Sequence, residues 1–250
     1  GTFEEDKVLS VLNNLREVGL IPDDTNISTR EEFSEFRNIR DASLAIIGTG
    51  GLTKALKLVC ETEKFKTLSV VEYTIKNFED KILQIFNEHD FVIVDANQWS
   101  PYHLEIINET AVKQNKPWLY ISGINESNIE IGPLFYGKET GCYNCLISRI
   151  KSNHAHPQYL TSYENYLREL KRPSASNDLC HDSIVYSLIA NFAIYEAIKF
   201  IEGWALPITW QSIVKINLYS YESSIHTLLK KPLCEVCKPN IKYNPAPWLD

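Results

Sequence analysis

The sequence predicts an α/β protein built on an open, doubly wound, mostly parallel sheet that also carries a structural zinc site. Three observations predict it. Short apolar runs alternate with amphipathic segments over residues 42–123, the pattern of strands joined by crossover helices. A glycine-rich turn, Gly48-Thr49-Gly50-Gly51, closes the first apolar run and opens a helical one. Two Cys-x-x-Cys pairs, Cys142/Cys145 and Cys234/Cys237, carry metal-ligand spacing.

The elements follow in order. Residues 3–19 (FEEDKVLSVLNNLREVG) place Val8, Leu9, Leu12 and Leu15 at helical spacing, with Gly19 as a stop. Residues 20–40 are polar and mixed in charge, a linker composition with a short helix at 29–36. The first strand is SLAIIG, and LTKALKLVCETE is the helix after it. TLSVVEY is the second strand and residues 77–88 the second helix. DFVIVDA reads as a buried strand, and PYHLEIINETAVKQN as a helix with Pro101 at its start. KPWLYISG is the fourth strand. Right-handed crossovers then fix most of the order. NIEIGPLFYG predicts one or two strands broken at Gly132-Pro133, and a helix begins at Cys142. Residues 152–178, polar and aromatic, predict an excursion or lid. Residues 183–202 form a long apolar helix, interrupted by Asn191, Glu196 and Lys199, as in a buried core helix rather than a membrane span. QSIVKINLYSY and SSIHTLLK are paired strands.

Composition narrows the function classes. With 44% hydrophobic and 23% charged residues, the chain is not an extended disordered or collagen-like one. A net charge of −7 argues against nucleic acid as a main partner. The opening residues lack a signal-peptide pattern and six cysteines are too few for a disulfide scaffold, so the expected location is cytoplasmic, with no membrane partner.

Two thiolates two residues apart grip one side of a tetrahedral ion, and a second pair completes a closed four-sulfur shell. Such zinc is structural, because no coordination position stays open. Redox disulfides, or chance spacing, are the alternatives for the same four residues. Cys60 falls inside a helix and reads as core. Cys180, beside His181, is either a core residue or a thiol nucleophile. His154, His156, His181 and His226 lack metal spacing and read as surface or loop residues.

Gly48, Gly50 and Gly51 suit a turn that brings backbone N–H groups to a phosphate, and Glu72 ends the next strand where a ribose-binding acid would stand. Thr53 replaces the third glycine of that fingerprint, so a plain tight turn is the other reading. Asp95 and Asn97, at the end of DFVIV, either face a ligand or cap the following helix. The glycine turn with Glu72 also admits a dinucleotide oxidoreductase, which the cysteine pairs disfavour.

Taken in order, the glycine turn, DFVIVDAN, KPWLYISG, IGPLFYGKETGCYNCL and PLCEVC resemble the ubiquitin-activating-type, ThiF/MoeB-like proteins over about residues 42–238. The resemblance implies a ThiF-like fold and the two-pair zinc site. GPLFYGKETGCYNCLISRIKSN, YLTSYENYLREL and KKPLCEVC are similar to one branch, the ThiF-like partners of YcaO cyclodehydratases in azoline-modified (bacteriocin-type) ribosomal peptide biosynthesis. That resemblance implies two parts: residues 1–40 as the C-terminal part of a leader-peptide-binding winged-helix module plus linker, and residues 41–250 as a ThiF-like zinc-binding domain. It implies a non-catalytic partner that binds the precursor's leader peptide and presents the core peptide to an ATP-using YcaO enzyme. Family members are often homodimers. Adenylating members carry Asp where this chain has Asn97, and an amide is a poor partner for magnesium. Gly48, Gly50, Gly51, Glu72 and Asn97 are therefore expected to be a vestigial nucleotide site, with no ATP use. The alternative is an active ATP-dependent adenylating enzyme acting on a peptide or small-protein carboxylate.

Overall fold

The computed structural model describes residues 38–137, 139–175, 182–232 and 234–237. The helices expected at 3–19 and 29–36, the module at 1–40 and the Cys180-His181 pair lie outside the described residues, apart from 38–40. Seven strands form one sheet: β1 (Ser43–Ile47), β2 (Thr67–Val71), β3 (Phe91–Asp95), β4 (Pro117–Asn125), β5 (Asn128–Tyr136), β6 (Ser212–Asn217) and β7 (Ser223–Thr227). Their order is β2-β1-β3-β4-β5-β6-β7. The first three pairings, from β2 to β4, are parallel, and the remaining three are antiparallel. The helices are α1 (Gly51–Glu63), α2 (Phe78–Glu88), α3 (Pro101–Gln114), α4 (Tyr143–Asn153), α5 (Pro157–Leu170) and α6 (Asp182–Glu202).

Strand periodicity splits the core in two. Leu44, Ile46, Phe91, Ile93, Leu119 and Ile121 point to one face, where α1 and α6 cover them. Ala45, Ile47, Val92, Val94, Trp118 and Tyr120 point to the other, beneath α2, α3 and α4. Both faces are covered, so the parallel strands read as continuous apolar runs. The chain steps from β1 to β2 through α1 on one face, then back past β1 to β3 through α2 on the other. Reversing direction and face together keeps one crossover hand. The point of reversal, between β1 and β3, is where open α/β sheets bind ligands.

Residues 183–202 pass the length and composition test for a membrane span, yet Ile189, Ala190, Ala193 and Ala197 of α6 are fully buried against the sheet. This is the core helix the sequence suggests. Its outward side leaves Ile184, Leu188 and Tyr195 exposed. Glu196, also buried, faces inward and holds the loop before β6: its carboxylate accepts from Lys199 Nζ at 2.5 Å and from Thr209 N and Oγ1 at 2.9 and 3.0 Å.

Two expectations are corrected. The 128–137 segment is one strand running through Gly132-Pro133, not a broken one. A side chain at 132 would lie 2.4 Å from the Ser212 carbonyl of β6, so the glycine lets β6 approach. The polar stretch from 152 is no lid over its described residues, 152–175. It contains α5, docked on α3 and α4 through buried Glu164, which pairs with Lys151 and Arg168, and through Arg168, which grips Glu105 at 2.5 and 3.0 Å. A two-point guanidinium–carboxylate grip fixes orientation as well as contact.

Candidate metal centre and the closed sheet crevice

Four sulfurs meet at one end of the molecule. Cys142 caps the N-terminus of α4 and Cys145 lies in its first turn. Cys234 and Cys237 sit in the turn that follows β7. All four side chains are buried, and their Sγ atoms lie within 4.8 Å of one another. The separations are 3.9 Å (Cys142–Cys145), 3.6 Å (Cys142–Cys234) and 3.5 Å (Cys145–Cys237). A tetrahedral zinc with bonds of about 2.3 Å requires sulfurs about 3.8 Å apart. The donor set therefore fits zinc, whereas disulfides need bonds of about 2.05 Å.

The surroundings suit thiolates. The α4 N-terminus favours negative charge. Lys231 N donates to Cys145 Sγ at 3.4 Å, and Asn144 Nδ2 to Cys234 Sγ at 3.8 Å, the supporting hydrogen bonds that orient metal ligands. Among themselves the thiols resist losing every proton. The hydrogen bond with Cys145 holds Cys142 up at about 12, and contact with Cys142 and Cys145 pushes Cys237 up. Cys145 accepts from Cys142 and Cys237 and is pushed down. A divalent cation is what allows all four to ionise. Cys60 is separate: it is buried in α1, and burial pushes its thiol up to about 12, the state of an inert core cysteine.

The second candidate lies at the sheet's point of reversal. Gly50 precedes α1 with φ +102°, a conformation that favours glycine. A side chain at 48 would lie 2.6 Å from Asp95 Cβ and 2.7 Å from Thr53 Oγ1. The structure thus explains Thr53 in place of a glycine: its hydroxyl donates to Asp95 Oδ2 at 2.6 Å. Asp95 Oδ1 accepts from Asn97 N at 3.0 Å, and its carbonyl from Tyr73 OH at 2.7 Å. Asp95 is a buried brace, not a ligand-facing group.

Asn97 is also committed internally. Its Oδ1 accepts from Ile124 N at 2.9 Å, and its Nδ2 donates to Tyr186 OH at 3.3 Å. Tyr186, from α6, lies over the first turn of α1: a side chain at 51 would sit 2.6 Å from its ring. Gly51 and Asn97 are therefore brought together around Tyr186, while Gly48 packs against Asp95 and Thr53. Glu72 is exposed and accepts from Thr74 Oγ1 at 3.4 Å. Sequence reasoning missed Tyr186, which comes from a distant helix and carries no motif. It also passed over two buried histidines. His89 bonds Ile85 O and Ser69 Oγ, and His103 bonds Ser100 Oγ at 2.6 Å. Burial pushes His103 down to about 4, so it is neutral near pH 7. His154, His156 and His226 are on the surface, as expected.

Burial pushes the Asp95 carboxyl from 3.8 up to about 6, against the Thr53 and Asn97 hydrogen bonds that favour the anion. Between these values the folded chain holds a proton that the unfolded chain has released. The stabilisation from this group is full below about pH 4 and is lost as pH rises through about 6. Relative to Asp95→Asn, the wild-type unfolding free energy should fall by about 3 kcal/mol between roughly pH 4 and pH 7. Urea titrations of both proteins across that range check this, and parallel pH profiles would refute it.

No protein-family model matches the chain, and no curated protein matches it. Solved structures do. Escherichia coli MccB is 17% identical, with 82% of this chain and 67% of that one covered and a TM-score of 0.58. MccB with AMPCPP and MccA gives 15% identity, 96% and 83% coverage and a TM-score of 0.63. The heterocyclase TruD gives 21% identity over 95% of this chain but 35% of its own, with a TM-score of 0.59. The chain has a ThiF/MccB-like fold, a mixed α/β sheet with a buried four-cysteine cluster consistent with a zinc site.

Proposed function

We propose that this chain is a non-catalytic partner of a peptide cyclodehydratase. It binds the leader of a ribosomal precursor peptide and presents the core peptide to an ATP-using YcaO enzyme for azoline formation. The observation that carries this reading is the closed crevice: Tyr186 lies on the α1 N-terminus and Asn97 spends both amide ends on protein groups. A phosphate seeks that helix N-terminus, and magnesium seeks a free carboxylate. The fold, shared with a MccB solved with MccA and with a heterocyclase, supports a place in peptide modification. In this reading residues 1–40 belong to a leader-binding winged-helix module and residues 41–250 to a zinc-stapled ThiF-like domain. The protein acts in the cytoplasm, and the exposed side of α6 serves a homodimer.

An adenylating enzyme is the second reading. It is favoured by the open space beside Gly50, where a side chain would meet only Gln98 Nε2 at 3.8 Å, and by a MccB solved with ATP. ATP–pyrophosphate exchange on zinc-loaded protein with its precursor peptide separates the two. The expected result is no exchange above background, with leader binding by fluorescence anisotropy and faster azoline formation by the YcaO enzyme. Precursor-dependent exchange would overturn the partner reading.

A further inference from the structure

A groove of about 460 Å³ runs between α4 and the β6–β7 ladder. Leu146, Ile150 and Ile213 line it with apolar surface, and Arg149, Lys215 and His226 give it a basic rim. No carboxylate lines it, although the whole chain carries a net charge of −7. Lys215 pairs with Glu130 at 2.7 Å, while Arg149 has no ion-pair partner among the described residues.

One wall of this groove is β7, the last strand of the sheet, exposed along its whole length. Among the described residues its outer edge pairs with nothing. Proteins guard such edges with charge, proline or a cover. The strand reads Ser-Ser-Ile-His-Thr, without charged residues or proline, and Ile225 is exposed. Its alternate residues Ser224 and His226 lie opposite Lys215 and Ile213 in the antiparallel ladder, so a strand added to β7 would extend the face that carries the basic rim.

We propose that this edge takes an extended acidic peptide segment, added as an eighth strand, with its carboxylates on the face that carries Arg149 and His226 and its apolar side chains on the opposite face, beside exposed Ile225. Backbone pairing supplies affinity and the groove supplies selection. The charge of the rim selects this occupant over a second copy of the chain, because a two-fold β7–β7 contact would bring two basic rims together. The proposal does not depend on the cyclodehydratase reading.

The test uses zinc-loaded full chain and a fluorescein-labelled peptide alternating aspartate and valine. Controls are its lysine–valine counterpart and a backbone N-methylated aspartate–valine form. Binding of the first alone is expected, weakening with salt. Arg149→Glu should weaken it about tenfold, and Ile225→Pro should abolish it while zinc content and circular dichroism stay unchanged. Absent binding, equal binding of the lysine peptide, or an unaffected Arg149→Glu variant would overturn the proposal. So would slow hydrogen exchange without peptide at the amides of 223, 225 and 227, which face away from β6, since the chain itself would then fill the edge.

Discussion

Replacing Cys142 by serine should yield a chain that neither retains zinc nor folds cooperatively. Cys142 is nearly fully buried and supplies one sulfur of the cluster from the N-cap position of α4, where its side chain makes no capping hydrogen bond. A serine hydroxyl is a poor fourth ligand for zinc beside three thiolates. Closed four-sulfur sites supply about 10–16 kcal/mol of apparent binding free energy near pH 7. Whole domains are stable by only about 5–15 kcal/mol, so the metal's share rivals the total. The staple also joins segments 92 positions apart in the chain, and losing it frees the end of the molecule that holds α4 and the turn after β7. Metal analysis, near-ultraviolet circular dichroism and thermal melting read the outcome together. A soluble, metal-free Cys142→Ser protein with a native melt would refute a structural metal here.

Glu196→Ala should cost about 3–5 kcal/mol without touching the cysteines. The residue is fully buried in α6 and is the acceptor for Lys199 and for both donors of Thr209. Thr209 in turn accepts from Leu134 N of β5 at 2.8 Å, so one carboxylate ties the core helix to the antiparallel half of the sheet. Alanine would leave the Thr209 N–H and hydroxyl and the Lys199 ammonium without their acceptor, and stranded buried groups carry the larger share of such costs. Glu196→Gln keeps an acceptor oxygen and should lose less. Urea unfolding of the three proteins gives the ranking; an alanine variant within about 1 kcal/mol of wild type would show that the loop finds other partners.

The inner parallel strands β1, β3 and β4 are legible in sequence because burial on both faces turns each into a short apolar run, as in FVIVD. The cysteine cluster is legible because tetrahedral coordination dictates ligand type and local spacing. Helix α5 escaped for a physical reason. Its buried positions are Leu167 and a glutamate, Glu164, satisfied by Lys151 and Arg168, and a solvent-facing pattern cannot reveal an internal ion network. Pro157 at its start was the available signal. Residues 128–137 read as one or two strands with a break because glycine and proline normally punctuate, whereas here the glycine admits β6 and β5 runs through. The glycine turn was found, but its closure was not, because Tyr186 arrives from α6 and only tertiary structure puts its ring on Gly51.

The Asn97 amide couples three segments. Its oxygen holds Ile124, its nitrogen meets Tyr186, and it occupies the space a side chain at Gly123 would need, within 2.2 Å. A substitution at Asn97 breaks both bonds and one that removes the Tyr186 hydroxyl breaks the second, whereas the Ile124 donor is backbone and persists. A carboxylate at 97 would keep the bond from Ile124 but give up the amide donor to Tyr186, beside a buried acid at 95. Asn97 just after β3, Gly123 at the C-terminal end of β4 and Tyr186 in α6 are thus coupled, and the effects of substitutions at these three positions should not add.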